Sequence, residues 1–209
     1  MTAQLFRGHY TSLTTSDMAL PYVGQAALLA DAFGKALDDY QPRSVAVLGC
    51  AGGNGFEQAL TRSIDRIVGV DINPNYIERA HSRWQGKLRA VELYAGDVQT
   101  DEFSFALVDL VFAGLLFEYV DTDKVLVKIR SMLRADGVLV SVTQLPNKEI
   151  AEITPSPFAK SLSVLSSTMH LVPSALLRDL AVNRGYRELE EYEVVGASEK
   201  RFRVQRFRS

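Results

Sequence analysis

Four glycines lie within seven residues, in the segment SVAVLGCAGGNGFE at positions 44–57. An aliphatic run precedes Gly49, and a polar stretch that is compatible with a helix follows Gly55. Because glycine carries no side chain, the main chain can turn tightly here and a ligand can approach its amide groups closely. The pattern predicts a nucleotide-like ligand at the junction between a strand and a helix.

Two common nucleotide motifs do not match this loop. A dinucleotide site requires G-x-G-x-x-G, but counting from Gly49 the third and sixth positions are Ala51 and Asn54. Counting from Gly53, the sixth position is Gln58. The Gly-Lys-Ser/Thr sequence of a phosphate-binding loop is also absent. Both a dehydrogenase and a P-loop enzyme are therefore disfavoured.

The elements around the loop alternate between strands and helices. Short apolar runs predict strands, and helical spacing of apolar residues predicts helices. The predicted strands are 44–49, 66–71, 89–97, 109–117 and 138–145. The predicted helices are 15–40, 55–64, 73–85, 122–137 (with Gly137 as its stop) and 173–185, before a hairpin of 187–196 and 199–208. This alternation predicts crossover connections and a parallel sheet.

The overall composition is that of an ordinary globular protein. The 209 residues are 47% hydrophobic and carry a net charge of −2. No apolar stretch approaches the ~18 residues of a membrane span, and the first residues do not resemble a signal peptide. Cys50 is the single cysteine, so an internal disulfide is impossible. These features predict a cytoplasmic protein without a membrane partner, and they leave the oligomeric state open.

Five motifs together resemble the class I S-adenosylmethionine-dependent methyltransferase family. VLGCAGGNG resembles its glycine loop, and VGVDIN resembles its second strand. YAGDV, DLVFAGLLFEYVD and MLRADGVLVSV resemble the segments around strands three, four and five. Asp71 follows Gly49 by 22 residues (71 − 49), which suits one intervening helix. The motifs occur in the family's order over roughly residues 40–145.

The resemblance implies both a fold and a cofactor. The fold is α/β, a doubly wound, mostly parallel seven-stranded sheet with an antiparallel last strand. The cofactor is S-adenosyl-L-methionine, and its product is S-adenosyl-L-homocysteine. Asp71 is expected to meet the ribose hydroxyls, and Asp97 the adenine amino group. The full set of expected cofactor-binding residues is Gly49, Cys50, Ala51, Gly53, Asp71, Ile72, Asp97, Val98, Ala113 and Gly114.

Two residues depart from the family pattern. The family often has an acid two residues before the first glycine, where this chain has Val47. Ala51 replaces the middle glycine, which is acceptable if the main chain does not need a positive φ there. These departures leave open a second hypothesis, a binding protein that keeps the fold and has lost catalysis.

The chain is expected to form one domain, 1–209, in four parts. Residues 1–40 form an N-terminal helical cap, and 41–145 form the cofactor-binding core. Residues 146–172 contain three prolines and many serines, which is typical of a lid-like insert. Residues 173–209 form a closing helix and hairpin.

The acceptor is expected in the crevice beyond strands one and four. Tyr10, Phe112, Leu116 and Tyr119 are candidate substrate-contacting residues, and His170 is the candidate general base. Glu118 is interpreted as an acid that complements the N-terminus of the following helix. The spacing of the histidines matches no metal motif, so no metal is predicted.

Three segments bear on the class of methyl acceptor. FAGLL stands where DNA amino-methyltransferases have their Asn/Asp-Pro-Pro-Tyr/Phe signature. Cytosine-C5 methyltransferases need a Pro-Cys nucleophile, but the single cysteine, Cys50, lies inside the glycine loop. The basic tail EKRFRVQRFRS favours nucleic acid, but its charges also suit an edge strand protected by Lys and Arg. A small-molecule acceptor is predicted, with an RNA methyltransferase as an alternative.

Overall fold

The computed structural model describes residues 24–146, 169–196 and 199–209. Tyr10, residues 15–23 of the first predicted helix and most of the predicted insert lie outside these ranges. The strands are Ser44–Leu48 (β1), Arg66–Asp71 (β2), Val91–Ala95 (β3), Val108–Gly114 (β4), Leu133–Gln144 (β5), Arg187–Val195 (β6) and Arg201–Arg208 (β7). The helices are Gln25–Tyr40 (α1), Pro74–Trp84 (α2), Thr122–Met132 (α3) and Ser174–Asn183 (α4).

A seven-stranded sheet carries the molecule, in the order β3-β2-β1-β4-β5-β7-β6. Strands β1 to β5 are parallel, and β7 is antiparallel to both of its neighbours, β5 and β6. Every residue of β1 is buried, as the apolar run 45–48 predicts for a strand covered on both faces. The predicted fold class is confirmed.

The two faces of the sheet bury separate hydrophobic clusters. On one face, Phe33 and Leu37 of α1 and Trp84 of α2 pack against Val45 and other strand residues. On the other face, α3 and α4 cover the sheet, with Leu126 among the residues buried there. Successive residues of β1 alternate between the two clusters, because side chains on a strand point alternately to opposite faces. Because β1 to β4 are parallel, their carboxyl ends lie at the same edge of the sheet.

The predicted helix 55–64 is wrong. The structure has one 3-10 turn, Phe56–Ala59, followed by turns with i to i+3 hydrogen bonds, such as Arg62 N–H to Ala59 O. Gly53 and Gly55 have φ angles of 72° and 83°, which a right-handed helix cannot include. The glycine loop therefore extends to Gly55, where the longer helix was predicted to begin.

The predicted boundary between helix 122–137 and the fifth strand is also wrong. The helix ends at Met132 rather than at Gly137, and β5 begins at Leu133. Leu133 is buried and pairs with Val108, so tertiary packing overrides the helical period. The register shifts next to this pair, and Asp136 takes a φ of 62° in the irregular stretch.

The sequence suggested that the basic tail is an edge strand, and this interpretation is wrong. It forms β7, an inner strand, and the edge strand is the acidic β6. Arg203 pairs with Glu191 at 2.9 Å, and Arg201 pairs with Glu193 at 3.2 Å. Arg201 and Arg203 of β7 are thus paired with glutamates of β6.

Arg206 is the most deeply buried of these cations, at 3% exposure. Its guanidinium contacts Asp39 at 2.7 Å and Glu190 at 2.8 Å, and it lies between the rings of Tyr40 and Tyr192. These contacts join the C-terminal end of α1 to both strands of the hairpin. A side chain held this way stabilises through packing as well as charge.

We expect Arg206→Met to lower the free energy of unfolding by about 2 kcal/mol, because a packed and paired cation is lost. Arg201→Met is the matched control on the same strand. Its side chain is 51% exposed, so the loss should stay below about 0.5 kcal/mol. Urea unfolding of both variants measures the difference, and equal losses would contradict the role assigned to Arg206.

Candidate functional site

The glycine loop begins directly at the end of β1. The amides of Gly49 and Cys50 both donate to the carbonyl of Val70 on β2, at 2.9 and 3.1 Å. Gly49 has a φ of 70° and is exposed, and within the described part of the chain a Cβ there would have only Leu116 nearby, at 3.7 Å. Gly49 therefore faces the crevice between the ends of β1 and β4, and its contact with a ligand stays a prediction.

Gly53 has a different reason to be glycine. Its carbonyl accepts a hydrogen bond from the Trp84 indole at 3.0 Å, and a Cβ on Gly53 would lie 2.4 Å from the same nitrogen. The missing side chain makes room for Trp84 of α2, which also packs against Phe56. Trp84 was not identified from the sequence, although an indole on a helix beside a glycine loop is a recognisable packing signal.

Ala51 occupies a left-handed conformation, with a φ of 48°. The condition under which alanine was expected to be harmless is therefore not met. A non-glycine residue in this region costs roughly 1–2 kcal/mol. The amide of Ala51 donates to Asp71 Oδ2 at 2.8 Å, and this hydrogen bond to a carboxylate helps to hold the strained residue.

Asp71 joins three elements at the end of β2. Its Oδ2 accepts from Ala51, its Oδ1 accepts from the amide of Asn73 at 2.9 Å, and its carbonyl accepts from the amide of Gly96 at 2.9 Å. Burial raises the pKa of Asp71 to about 6, against the lowering effect of the two amide donors. Ile72, which follows, is half-buried. The carboxyl oxygens retain lone pairs that can accept hydroxyl donors.

Asp97 and Val98 lie in the turn after β3. Asp97 Oδ1 accepts from the amide of Gln99 at 2.8 Å, and Val98 is buried in the hydrophobic cluster. Gln99 in turn accepts from the amide of Asp121 at 2.8 Å, which ties this turn to the chain beyond β4. Hydrogen bonds thus connect the ends of β1, β2, β3 and β4 around one rim, and Gln99 is a part of that rim that the motifs did not reveal.

The end of β4 is more enclosed than expected. Ala113 is fully buried, and a Cβ on Gly114 would lie 2.9 Å from Leu29 of α1. Phe112 packs on Phe33 with ring centroids 5.1 Å apart and is 4% exposed. Its predicted contact with the acceptor is therefore a misassignment, because the ring faces the core beneath α1.

Three other predicted acceptor residues come together at this end. Leu116 borders Gly49, and Tyr119 follows in a 3-10 turn, Phe117–Tyr119. Burial, with the neighbouring Glu118 carboxyl, raises the pKa of Tyr119 to about 12. His170 is exposed, and its amide donates to the carbonyl of Glu118 at 3.0 Å. Tyr10 lies outside the described residues.

Glu118 is a buried residue of the site whose role sequence reasoning misjudged. The N-cap of α3 is Asp121, whose side chain accepts from the amide of Lys124 at 3.1 Å. Glu118 instead is completely buried, and its Oε1 accepts from the amide of Gln144 at 2.7 Å. Its Oε2 has no hydrogen-bond partner among the described residues, and burial raises the pKa of Glu118 to about 7. The apolar neighbours in LLFEYV were the available signal for burial.

The remaining groups offer little further chemistry. The Cys50 side chain is buried, and burial raises the pKa of its thiol well above the usual value. Across residues 24–146, 169–196 and 199–209, no three His, Cys, Asp or Glu side chains cluster as metal ligands. In the same part of the chain, no helix has the length and apolar character to cross a membrane.

Known proteins share both the core sequence pattern and the fold. Residues 47–141 match the family model of the methyltransferase domain. No curated protein matches the chain significantly. A structure of the N-methyltransferase NodS from Bradyrhizobium japonicum WM9, in complex with S-adenosyl-L-homocysteine, superposes with a TM-score of 0.66 at 19% identity, covering 90% of this chain and 88% of that one.

Two further structures show how widely the fold is used. Magnesium protoporphyrin IX methyltransferase (ChlM) from Synechocystis PCC 6803, with bound S-adenosyl-L-homocysteine, gives a TM-score of 0.70 at 13% identity, with 98% of each chain covered. The [4+2]-cyclase SpnF gives 0.66 at 12% identity, covering 86% of this chain and 80% of that one. At these identities the likeness concerns the fold alone.

Residues 47–141 thus carry the sequence pattern of a methyltransferase domain, and the strand order and the glycine loop beside Asp71 agree with that match.

The role of Gly53 can be tested with a matched glycine. Gly53 and Gly86 have similar φ angles, 72° and 76°, but a Cβ on Gly86 would meet none of the described residues within 4 Å. We expect Gly86→Ala to cost about 1 kcal/mol through the backbone alone. Gly53→Ala should cost about 3 kcal/mol or more, because the methyl group also displaces Trp84. Thermal and urea unfolding provide the measurement, and similar losses would mean that Trp84 moves aside freely.

Glu118 should make stability depend on pH. Its pKa rises from the usual 4.5 to about 7 on folding, so the folded state binds more protons in that interval and the free energy of unfolding decreases as pH rises through it. Relative to wild type, Glu118→Gln should gain roughly 2 kcal/mol between pH 5 and pH 8.

The control for this titration is Glu102→Gln. The Glu102 side chain is 92% exposed and its charge is screened by solvent, so the variant should follow the wild-type curve at every pH. Urea unfolding at four or five pH values gives all three curves. A Glu118→Gln curve parallel to wild type would show that Glu118 titrates normally. Asp71 contributes a similar slope at lower pH in every variant and so cancels in the comparison.

Proposed function

We propose that the protein transfers the methyl group of S-adenosylmethionine to a small-molecule acceptor. The observation that carries the acceptor class is the ion pairing of β7 with β6. The basic tail was the one sequence feature that favoured nucleic acid, and Arg203 and Arg206 are both paired with glutamates of β6. The acceptor end of β4 instead presents Leu116 and Tyr119, which suit an apolar or mixed small molecule.

The geometry of the rim supports the proposed cofactor placement. Gly49 leaves space beside the main chain, and Asp71 offers carboxylate oxygens to the ribose hydroxyls. Ile72 and Val98 supply apolar surface near the turn that holds Asp97, which is proposed to meet the adenine amino group. The sulfonium of the cofactor supplies an already activated methyl group, so the protein has mainly to position the acceptor.

His170 remains the proposed general base. Its main chain is held on the Glu118 carbonyl at the acceptor end of β4, while its side chain is exposed. A base at this position is required only if the acceptor loses a proton on methylation. The described residues around Leu116 and Tyr119 offer no second histidine.

Two alternatives from the sequence stay testable. An RNA methyltransferase would use a basic surface other than the paired arginines of β7. A binding protein without catalysis would explain Val47 and the strained Ala51, and a fold shared with a cyclase shows that the architecture alone does not dictate the reaction. The single free thiol, Cys50, supports the proposed cytoplasmic location.

The decisive experiment is calorimetric titration with S-adenosylhomocysteine, with NAD as the negative control. We expect micromolar binding of the first ligand alone. Asp71→Ala should weaken binding about 10- to 100-fold, because both ribose hydroxyls lose a charged partner. Asp65→Ala is the matched control, because Asp65 immediately precedes the opposite end of β2 and pairs with Arg43.

The outcomes separate the hypotheses. Unchanged binding by Asp71→Ala would overturn the proposed cofactor placement. Binding without methyl transfer to any small molecule, but with transfer to RNA, would favour the RNA alternative. Binding without transfer to either class would favour the binding protein.

A further inference from the structure

The hydrogen-bond ladder between β4 and β5 changes partner immediately after β4. Gly114 pairs with Val142, and the amide of Leu115 still donates to the carbonyl of Val142 at 2.8 Å. In a parallel ladder, the next hydrogen bond would run from the amide of Gln144 to the carbonyl of Leu115. The amide of Gln144 donates instead to Glu118 Oε1, at 2.7 Å. A side-chain carboxyl thus replaces a main-chain carbonyl in the ladder.

This substitution coincides with backbone strain. Leu115 has a φ of 53°, a left-handed conformation that is unusual for a bulky residue. Such strain persists where the surrounding structure enforces it, and it concentrates at ligand sites. Here Glu118 supplies the acceptor that Gln144 would otherwise lack, and so it allows Leu115 to leave the ladder.

The main-chain carbonyl of Leu115 is therefore left as a hydrogen-bond acceptor outside the ladder, close to the crevice. No main-chain amide of the described residues donates to the carbonyl of Leu115. The residue lies between Gly114 and Leu116, and the Leu116 side chain borders the open side of Gly49. Polar main-chain groups at such positions normally find a partner in protein, water or ligand.

We propose that Glu118 is a positioning residue, which frees the Leu115 carbonyl to accept a hydrogen bond from the cationic amino group of the methionine part of the cofactor. This inference rests on the proposed cofactor placement. Glu118 is completely buried and acts through Gln144 and Leu115 rather than by touching the ligand. A carbonyl acceptor favours an ammonium donor and offers nothing to a ligand that lacks one.

The test compares S-adenosylhomocysteine with its analogue lacking the α-amino group, by calorimetry on the full chain. Wild type should prefer the parent ligand by about 10-fold or more. Glu118→Met removes the acceptor of Gln144, so the Leu115 carbonyl is drawn back into the ladder. The preference should then fall to about 3-fold or less, while the deaminated analogue binds as it does to wild type.

Glu118→Gln is the conservative control, because its amide oxygen can still accept from Gln144. This variant should retain the wild-type preference. A Glu118→Met variant that keeps the full preference, or that weakens both ligands equally, would overturn the proposal, since the second result indicates only a structural role. Failure of wild type to bind S-adenosylhomocysteine would instead reject the cofactor placement itself.

A measurement on the wild-type protein covers the case in which Glu118→Met does not fold. The carbonyl carbon of Leu115, labelled with ¹³C and observed by NMR, should shift on addition of S-adenosylhomocysteine. The deaminated analogue should leave it near its free position, whereas the amide of Ala51 should respond to both ligands. Equal responses of the Leu115 carbonyl to the two ligands would contradict the assignment.

Discussion

The burial of β1 on both faces, with a paired strand on each side, is the constraint from which the site follows. Ser44–Leu48 are all buried, and the strand is hydrogen-bonded to β2 and to β4. Its end therefore cannot shift relative to either neighbour without breaking a ladder. Gly49, which directly follows β1, Asp71 at the end of β2 and Gly114 at the end of β4 are thus held relative to one another by backbone hydrogen bonds.

Much of this framework was predictable, because it depends on local patterns that the fold does not oppose. The apolar runs at β1 and β2 predicted strands close to the observed bounds, and the predicted helix 73–85 differs from α2 by one residue at each end. Asp71 was identified from its spacing to Gly49 and from the family resemblance. Its contact with Ala51 confirms that the loop and β2 meet, although its role towards the ribose remains a prediction.

What escaped prediction depends on contacts distant in sequence. The strand character of Leu133 comes from pairing with Val108, and the core position of Phe112 comes from the approach of α1. Glu118 illustrates the limit best. Charge and sequence position favour a helix terminus, and only the fold shows that the amide of Gln144 lies within reach of its carboxyl. Neither hydrophobic periodicity nor a sequence motif can reveal that a side-chain carboxyl replaces a main-chain carbonyl as the acceptor of one hydrogen bond in the sheet.

The position of β7 between β5 and β6 has a consequence for the order of assembly. β6 precedes β7 in sequence, yet β6 pairs only through β7 within the described sheet. During synthesis, β6 is therefore made before the strand that pairs it to the sheet. Until β7 is available, the four glutamates of β6 disfavour pairing with another copy of the same strand. The arginines that later neutralise them arrive on the strand that completes the sheet, so the charge that delays premature association also guides the final pairing.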